Sequence, residues 1–119
     1  MMYEEEDLSK ITEVRPLIIQ NDHFTFGNVE AWMNILASYA LVHPEHKVTL
    51  YYDGLPIHNL ISLYKRIGSL DITKFEMQVA MPDREKKNLS KLRRLLMEGA
   101  SSNFGPFINK ERNRVLMLF

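Results

Sequence analysis

The side chains best suited to chemistry in this sequence are two aspartates and a histidine: Asp22, His23 and Asp53. Asp22 and His23 follow the first apolar run of the chain, and Asp53 follows the second. In an open sheet of parallel strands, binding sites lie beyond the carboxyl ends of the strands. The two carboxylates and the imidazole could therefore converge, with Asp53 or His23 as a general base.

A third strand is predicted to end at Met81, so Met81 and Asp83 complete the predicted rim of this pocket. No motif supports hydrolytic or metal chemistry there, and aspartates are common in turns, where they bond to the backbone. We therefore assign no catalytic residue, no cofactor and no metal ligand, and we favour a protein that is not an enzyme. A small enzyme or ligand-binding protein that uses the Asp/His rim is the alternative.

Composition limits the remaining chemistry. The 119 residues include no cysteine, which excludes disulfides, thiolate metal sites and a cysteine that carries persulfide. The five glycines form neither a P-loop nor a GxGxxG fingerprint. His43 and His46 are close in sequence, but Pro44 interrupts any helix between them, so we expect an exposed loop rather than a metal site.

The segment after Met81 is rich in basic residues. The helix predicted to start at Pro82 carries Arg84, Lys86, Lys87, Lys91, Arg93 and Arg94 beside a stripe of leucines. Such a face is usually a solvated helix surface, and contact with RNA or an acidic partner is the alternative. Because the formal net charge of the chain is zero, nucleic acid is not the expected partner.

The candidate site residues are positioned by predicted elements around a central strand, residues 48–54 (VTLYYDG). This strand is rich in β-branched and aromatic residues and ends at an Asp-Gly turn signal. We predict strands at about 16–20, 48–54, 72–81 and 115–119, and helices at about 28–42, 56–67 and 82–98. This alternation implies an α/β fold, a three-layer sandwich in which helices flank a mainly parallel sheet of four to five strands, joined by right-handed crossovers.

The first predicted helix is nearly all apolar. Its polar positions recur every four residues and form one narrow stripe: Glu30, Asn34 and Ser38. A helix this apolar is covered on more than one side, either by the sheet and a second subunit or by a neighbouring helix. We expect Trp32, Ile35 and Tyr39 to lie at an interface between subunits, so self-association is predicted.

Length and composition indicate one domain at residues 11–119, after an acidic tail at residues 1–10. The N-terminus is acidic where a secretory signal would be basic. No apolar run approaches the roughly 20 residues of a membrane span. We therefore expect a cytoplasmic protein that does not enter a membrane, and the zero net charge favours self-association.

Four stretches, in order along the chain, resemble the DsrE/DsrF-like sulfur-relay family. FTFGNVEAWMNILASYALV is similar to the first crossover of that family, and VTLYYDGLPIHNLI to its second strand with the turn and helix that follow. LYKRIGSLDITKFEMQVAMPDREKKNL resembles the helix, turn and strand of DsrF and TusC subunits, and RNRVLMLF the final strand. The resemblance covers most of the chain and implies the same sandwich fold.

Members of that family that carry persulfide sulfur use a cysteine at the end of the third strand, where this sequence reads QVAMPDRE. The resemblance therefore implies a TusC/DsrF-like, non-catalytic subunit or binding module that acts in sulfur relay without carrying persulfide. It implies a trimer or hexamer, or a hetero-oligomer with related subunits, and a sulfur-carrier protein as a partner. The rim formed by Asp22, His23 and Asp53 would then be a vestigial pocket.

Overall fold

The fold consists of α-helices, strands and short 3₁₀ helices within the residues that the computed structural model describes, 14–81, 88–108 and 117–119. The helices are α1 (Phe26–Val42) and α2 (Leu89–Gly99). The strands are β1 (Arg15–Pro16), β2 (Lys47–Tyr52), β3 (Leu55–Ile57) and β4 (Phe75–Ala80). The 3₁₀ helices are η1 (Leu60–Arg66), η2 (Ile72–Lys74) and η3 (Gly105–Phe107).

The strands form one sheet in the order β1-β4-β2-β3, and every neighbouring pair is antiparallel. β2 and β4 pair along their full length, from Lys47 opposite Ala80 to Tyr52 opposite Phe75. The prediction of a three-layer α/β sandwich around a mainly parallel sheet of four to five strands is therefore wrong. The described residues form a small antiparallel sheet with α1 and α2 packed on one face.

The Asp53–Gly54 turn is the first reason for this difference. Both residues have positive φ angles, 54° and 80°, which is the backbone geometry of a type I′ hairpin turn. The chain therefore reverses directly after β2, and Leu55 pairs with Tyr52. A turn that we interpreted as the end of a strand before a helix is the tip of a β-hairpin.

The segment predicted as a second helix, residues 56–67, is the second reason. Its first residues belong to β3, and the rest form the 3₁₀ helix η1. Pro56 is tolerated in β3 because β3 is an edge strand, where a missing N–H group leaves no neighbour unpaired. Without an α-helical crossover between them, β2 and β4 lie side by side in opposite directions.

The two faces of the sheet differ in burial. The side chains of β4 alternate in burial, with Phe75, Met77 and Val79 buried and Glu76, Gln78 and Ala80 partly exposed. The buried face contacts α1, where the ring centroids of Phe75 and Trp32 are 5.0 Å apart. On the opposite face, the Tyr51 hydroxyl donates to Oε1 of Gln78 at 3.0 Å. The fold therefore has two layers, and its core lies between them.

The core contains the inward faces of both helices. The predicted leucine stripe of α2 is confirmed, because Leu89, Leu92, Leu95 and Leu96 are all buried. Trp32, Ile35 and Tyr39 of α1 are only 0%, 0% and 1% exposed. These three side chains therefore pack inside this chain and are not available to a second subunit, so the predicted interface is not on their side of α1.

Several predicted features fall outside the described residues. They are the acidic tail at 1–10, the start of the basic helix at 82–87 with Asp83, and the beginning of the last strand at 115–116. Residues 117–119 are described and do not lie in a strand; the Leu118 N–H group donates to Oγ of Ser38 at 2.8 Å. None of the helices in the described part of the chain has the length and apolar character of a membrane span.

Candidate functional site

Two members of the predicted pocket, Asp53 and Met81, are not brought together, because they lie at opposite ends of the β2–β4 pair. Asp53 follows the Tyr52–Phe75 pair at one end of the two strands. Met81 follows the Lys47–Ala80 pair at the other end. At about 3.3 Å per residue, the six-residue strands place these ends about 17 Å apart. Met81 is also buried in the core. The convergence that we expected requires parallel strands, and here neighbouring strands run in opposite directions.

Asp22 and His23 belong to the segment that leads into α1. Both side chains are exposed, and neither makes a hydrogen bond or ion pair with another described residue. The segment is held by its neighbours instead: Phe24 is buried against Trp32, with ring centroids 4.9 Å apart, and Nδ2 of Asn21 donates to the Ala100 carbonyl at 3.0 Å. These contacts fix the start of α1 and leave the two predicted site residues facing solvent.

Asp53 lines a hollow of about 380 Å³ beside the β2–β3 hairpin. Its polar lining also includes His58, Asn59, Ser62 and Arg66. Asp53 pairs with Nζ of Lys74 at 3.5 Å, and the Arg66 guanidinium lies 4.7 Å from the centre of the Tyr52 ring. Among the described residues that line this hollow, we find no nucleophile paired with a base.

His43 and His46 form a stack of rings rather than an exposed loop. Their ring centroids are 4.4 Å apart, and His46 is buried. Nδ1 of His46 and the Tyr39 hydroxyl are 2.8 Å apart, while Nε2 of His43 and Nδ2 of Asn88 are 3.0 Å apart. The expectation of an exposed loop is wrong at His46, because both rings join the end of α1 to the residue before α2.

The pKa values of Asp71 and Tyr64 are shifted, and both shifts have local causes. The Thr73 hydroxyl and then the Thr73 N–H group donate to Oδ1 of Asp71, at 2.6 and 3.0 Å, and these bonds lower the pKa of Asp71. Partial burial, and then the nearby charge of Glu30, raises the pKa of Tyr64. The first shift belongs to the cap of η2, and the second marks a contact between η1 and α1.

The strongest surface feature is the outward side of α1. Its 17 residues include one charged side chain, Glu30. At about 100° per residue, positions 26, 30, 33, 37, 40 and 41 lie on the side away from the core. We call Phe26, Met33, Ala37, Ala40 and Leu41, with Glu30 among them, the α1 outer face. Phe26, Met33 and Leu41 are 54%, 38% and 60% exposed.

The 3₁₀ helix η1 extends this apolar surface. The rings of Phe26 and Tyr64 meet edge to face, with centroids 5.0 Å apart, and Ile61 of η1 is exposed. Contiguous exposed apolar side chains of this kind mark interaction surfaces. Glu30, the single charged residue of α1, lies on this exposed side, whereas Trp32, Ile35 and Tyr39 lie on the buried side. The other two residues of the predicted polar stripe are bonded: Nδ2 of Asn34 donates to the Phe107 carbonyl, and Oγ of Ser38 accepts from Leu118.

Comparison with known proteins gives a family and one relative. Residues 9–106 match the model of a family described as "Uncharacterised Treponema protein C-terminal domain". The chain is also similar to an uncharacterized protein of Treponema pallidum (strain Nichols), at 35% identity over 114 residues, which cover 92% of this chain and 31% of that protein. The chain thus spans about a third of the length of the curated relative that it matches. No solved structure matches it.

Proposed function

We propose a function from the geometry of the described residues, because this chain belongs to the family of the uncharacterised Treponema protein C-terminal domain and that description names no function. We infer that the chain is a non-catalytic module that binds a second copy of itself through the α1 outer face. The observation that carries this proposal is a 17-residue surface helix whose solvent side bears a single charge.

Charge and shape favour a second copy as the occupant. The formal net charge of the chain is zero, so two copies do not repel each other as wholes. The α1 outer face has small residues, Ala37 and Ala40, beside large ones, Met33 and Leu41. In a two-fold contact, the same surface of each copy faces the other. Large side chains of one copy can therefore fill the space above small residues of the other.

Glu30 fixes the direction of this contact. In a parallel pairing of two α1 helices, the two Glu30 carboxylates would lie side by side and repel. In an antiparallel pairing centred near residue 35, Met33 lies opposite Ala37, and Glu30 lies opposite Ala40. The two carboxylates are then about 15 Å apart along the helix axis at about 1.5 Å per residue, beyond the screening length of about 8 Å in physiological salt.

The sulfur-relay role rests on the resemblance to DsrE/DsrF-like proteins alone. Because the sequence contains no cysteine, the chain could take part in such a relay only by holding a sulfur-carrier partner. A cytoplasmic location belongs to the same proposal. A trimer or hexamer would need a contact surface in addition to the α1 outer face, since one two-fold contact closes as a dimer.

Light scattering over a range of protein concentrations, at two salt concentrations, tests self-association. We expect a mass of twice the 14.0 kDa chain, with little dependence on salt because the contact is apolar. Met33→Glu and Leu41→Glu should each weaken the dimer by about tenfold or more, because each would place a carboxylate in the contact.

Ile18→Glu is the matched control, because Ile18 is 63% exposed, similar to Leu41 at 60%, and lies outside α1. This variant should dimerise like the wild type. A monomer at every concentration would contradict the proposal. Equal weakening by all three variants would show that the contact lies elsewhere.

A further inference from the structure

A concave surface lies between β1 and α2. None of its residues belongs to the α1 outer face. It is a hollow of about 210 Å³ lined by basic, apolar and hydroxyl side chains. We call it the arginine cleft; its lining residues are Arg15, Met77, Leu89, Ser90, Arg93, Arg94 and Met97. The inference drawn from it is independent of the proposed self-association.

Two elements bring the basic groups together. Arg15 of β1 lies directly opposite Met77 of β4, so both side chains are on the sheet face that α2 covers. Ser90, Arg93, Arg94 and Met97 follow one another at helical spacing along one side of α2. The cleft extends along α2 from its first turn, at Leu89 and Ser90, to its last turn, at Met97.

Among the described residues, the cleft contains more arginines than acidic side chains paired with them. Arg93 donates from Nε and Nη2 to the Pro16 carbonyl, at 3.1 and 2.7 Å, which holds its guanidinium beside Arg15 without neutralising it. Nη1 of Arg94 donates to Oε2 of Glu98 at 3.0 Å. The Arg15 side chain makes no hydrogen bond or ion pair with the described residues. Within the described part of the chain, three guanidinium groups of the cleft therefore have one carboxylate as a partner, the Glu98 side chain.

The chemistry of the cleft fits a phosphate group. A guanidinium presents a planar fork of N–H donors that matches two oxygens of a phosphate. Met77, Leu89 and Met97 supply an apolar floor beside this fork. The cleft adjoins a second hollow of about 460 Å³ that also includes Arg94 and Met97, so there is room for the rest of a small ligand.

We propose that the arginine cleft binds the phosphate group of a small phosphorylated molecule, whose apolar body lies over Met97. The probe is phenyl phosphate, which carries a phosphate group on an apolar ring. Phenol and inorganic phosphate, which each represent one part of the probe, are the control ligands. In amide NMR spectra of the full chain, phenyl phosphate should shift the signals of Ser90, Arg94 and Met97 and should bind more tightly than either control ligand. Its affinity should fall as salt is raised.

Arg15→Gln and Arg94→Gln should each weaken phenyl phosphate binding by about tenfold or more, because each removes a charged donor from an exposed position. Arg93 is left in place because it holds the Pro16 carbonyl. Arg66→Gln is the matched control, since Arg66 lies outside the cleft against Tyr52, and it should bind phenyl phosphate like the wild type.

Three results would overturn the proposal: no binding of phenyl phosphate at millimolar concentration, unchanged binding by both cleft variants, or an equal loss in Arg66→Gln. Binding of a single-stranded RNA oligonucleotide without binding of phenyl phosphate would also overturn it. That last result would assign this face to nucleic acid.

Discussion

At the scale of single residues, the buried amide of Asn28 joins the start of α1 to the end of α2. Its Oδ1 accepts from the Thr25 N–H group at 2.8 Å, and its Nδ2 donates to the carbonyls of Gly99 and Ser101, at 2.8 and 3.0 Å. The last carbonyls of a helix have no partner within the helix, so a buried helix end needs donors of this kind. One side chain thus satisfies backbone groups of two helices.

Replacing Asn28 should therefore destabilise the protein. We expect Asn28→Ala to lower the free energy of unfolding by about 2–4 kcal/mol, because two carbonyls would lose their donor. Asn28→Asp should also be destabilising, since a carboxylate cannot donate to a carbonyl. Urea unfolding measures both, with Asn103→Ala, an exposed asparagine, as the control. A loss below about 1 kcal/mol in both variants would show that other groups satisfy these carbonyls.

The sequence predicted part of this arrangement. The helix was predicted to start at about residue 28, and Asn28 does belong to its start, as the third helical residue of a capping box that Thr25 begins. Its contacts with Gly99 and Ser101 cross more than 70 positions of sequence. Nothing in the local pattern around Asn28 indicates which distant carbonyls it meets, because those contacts exist only once both helices are packed.

At the scale of elements, local periodicity predicted α1 and α2 better than it predicted the segment at 56–67 or the direction of the strands. α1, the leucine stripe of α2 and the alternation in β4 each follow from residues within one element. Strand direction depended on the Asp53–Gly54 turn. An Asp-Gly pair can end a strand or reverse it, and β3 after it is three residues long, too short to show its own alternation. The candidate pocket was predicted from parallel strands, so the prediction was wrong once the strands proved to be antiparallel.

Gly54 can be tested for its part in this turn. Its φ of 80° is one that L-residues avoid, so Gly54→Ala should cost about 1–2 kcal/mol of unfolding free energy. Gly105→Ala is the control: neither glycine has an atom within 4 Å of an added Cβ, and Gly105 lacks the positive φ. Its effect should be within about 0.5 kcal/mol of zero. Equal effects in chemical denaturation would mean that the backbone conformation at Gly54 is not limiting.

At the scale of the whole molecule, one core side chain joins the three main parts of the fold. The Trp32 ring of α1 meets Phe75 of β4 edge to face, and its Nε1 donates to the Leu96 carbonyl of α2 at 2.6 Å. The sequence identified Trp32 as an anchor but assigned it to a subunit interface. A nearly all-apolar helix does not by itself show which side packs against its own sheet, and Trp32 lies on the side that does.

The two assignments of Trp32 make different predictions. If Trp32 is a core residue, Trp32→Ala should lower the free energy of unfolding by about 3–5 kcal/mol. Trp32→Phe should cost less, because it keeps a ring against Phe75 and loses the bond to the Leu96 carbonyl.

Both losses should persist in the Met33→Glu background, where the proposed dimer is weakened, since a core contact does not depend on the partner. If Trp32 acted at an interface, its cost would vanish in that background. Unfolding curves of the single and double variants at one protein concentration decide between these outcomes. They also show whether the side of α1 that holds the fold together is separate from the side proposed to bind a second copy.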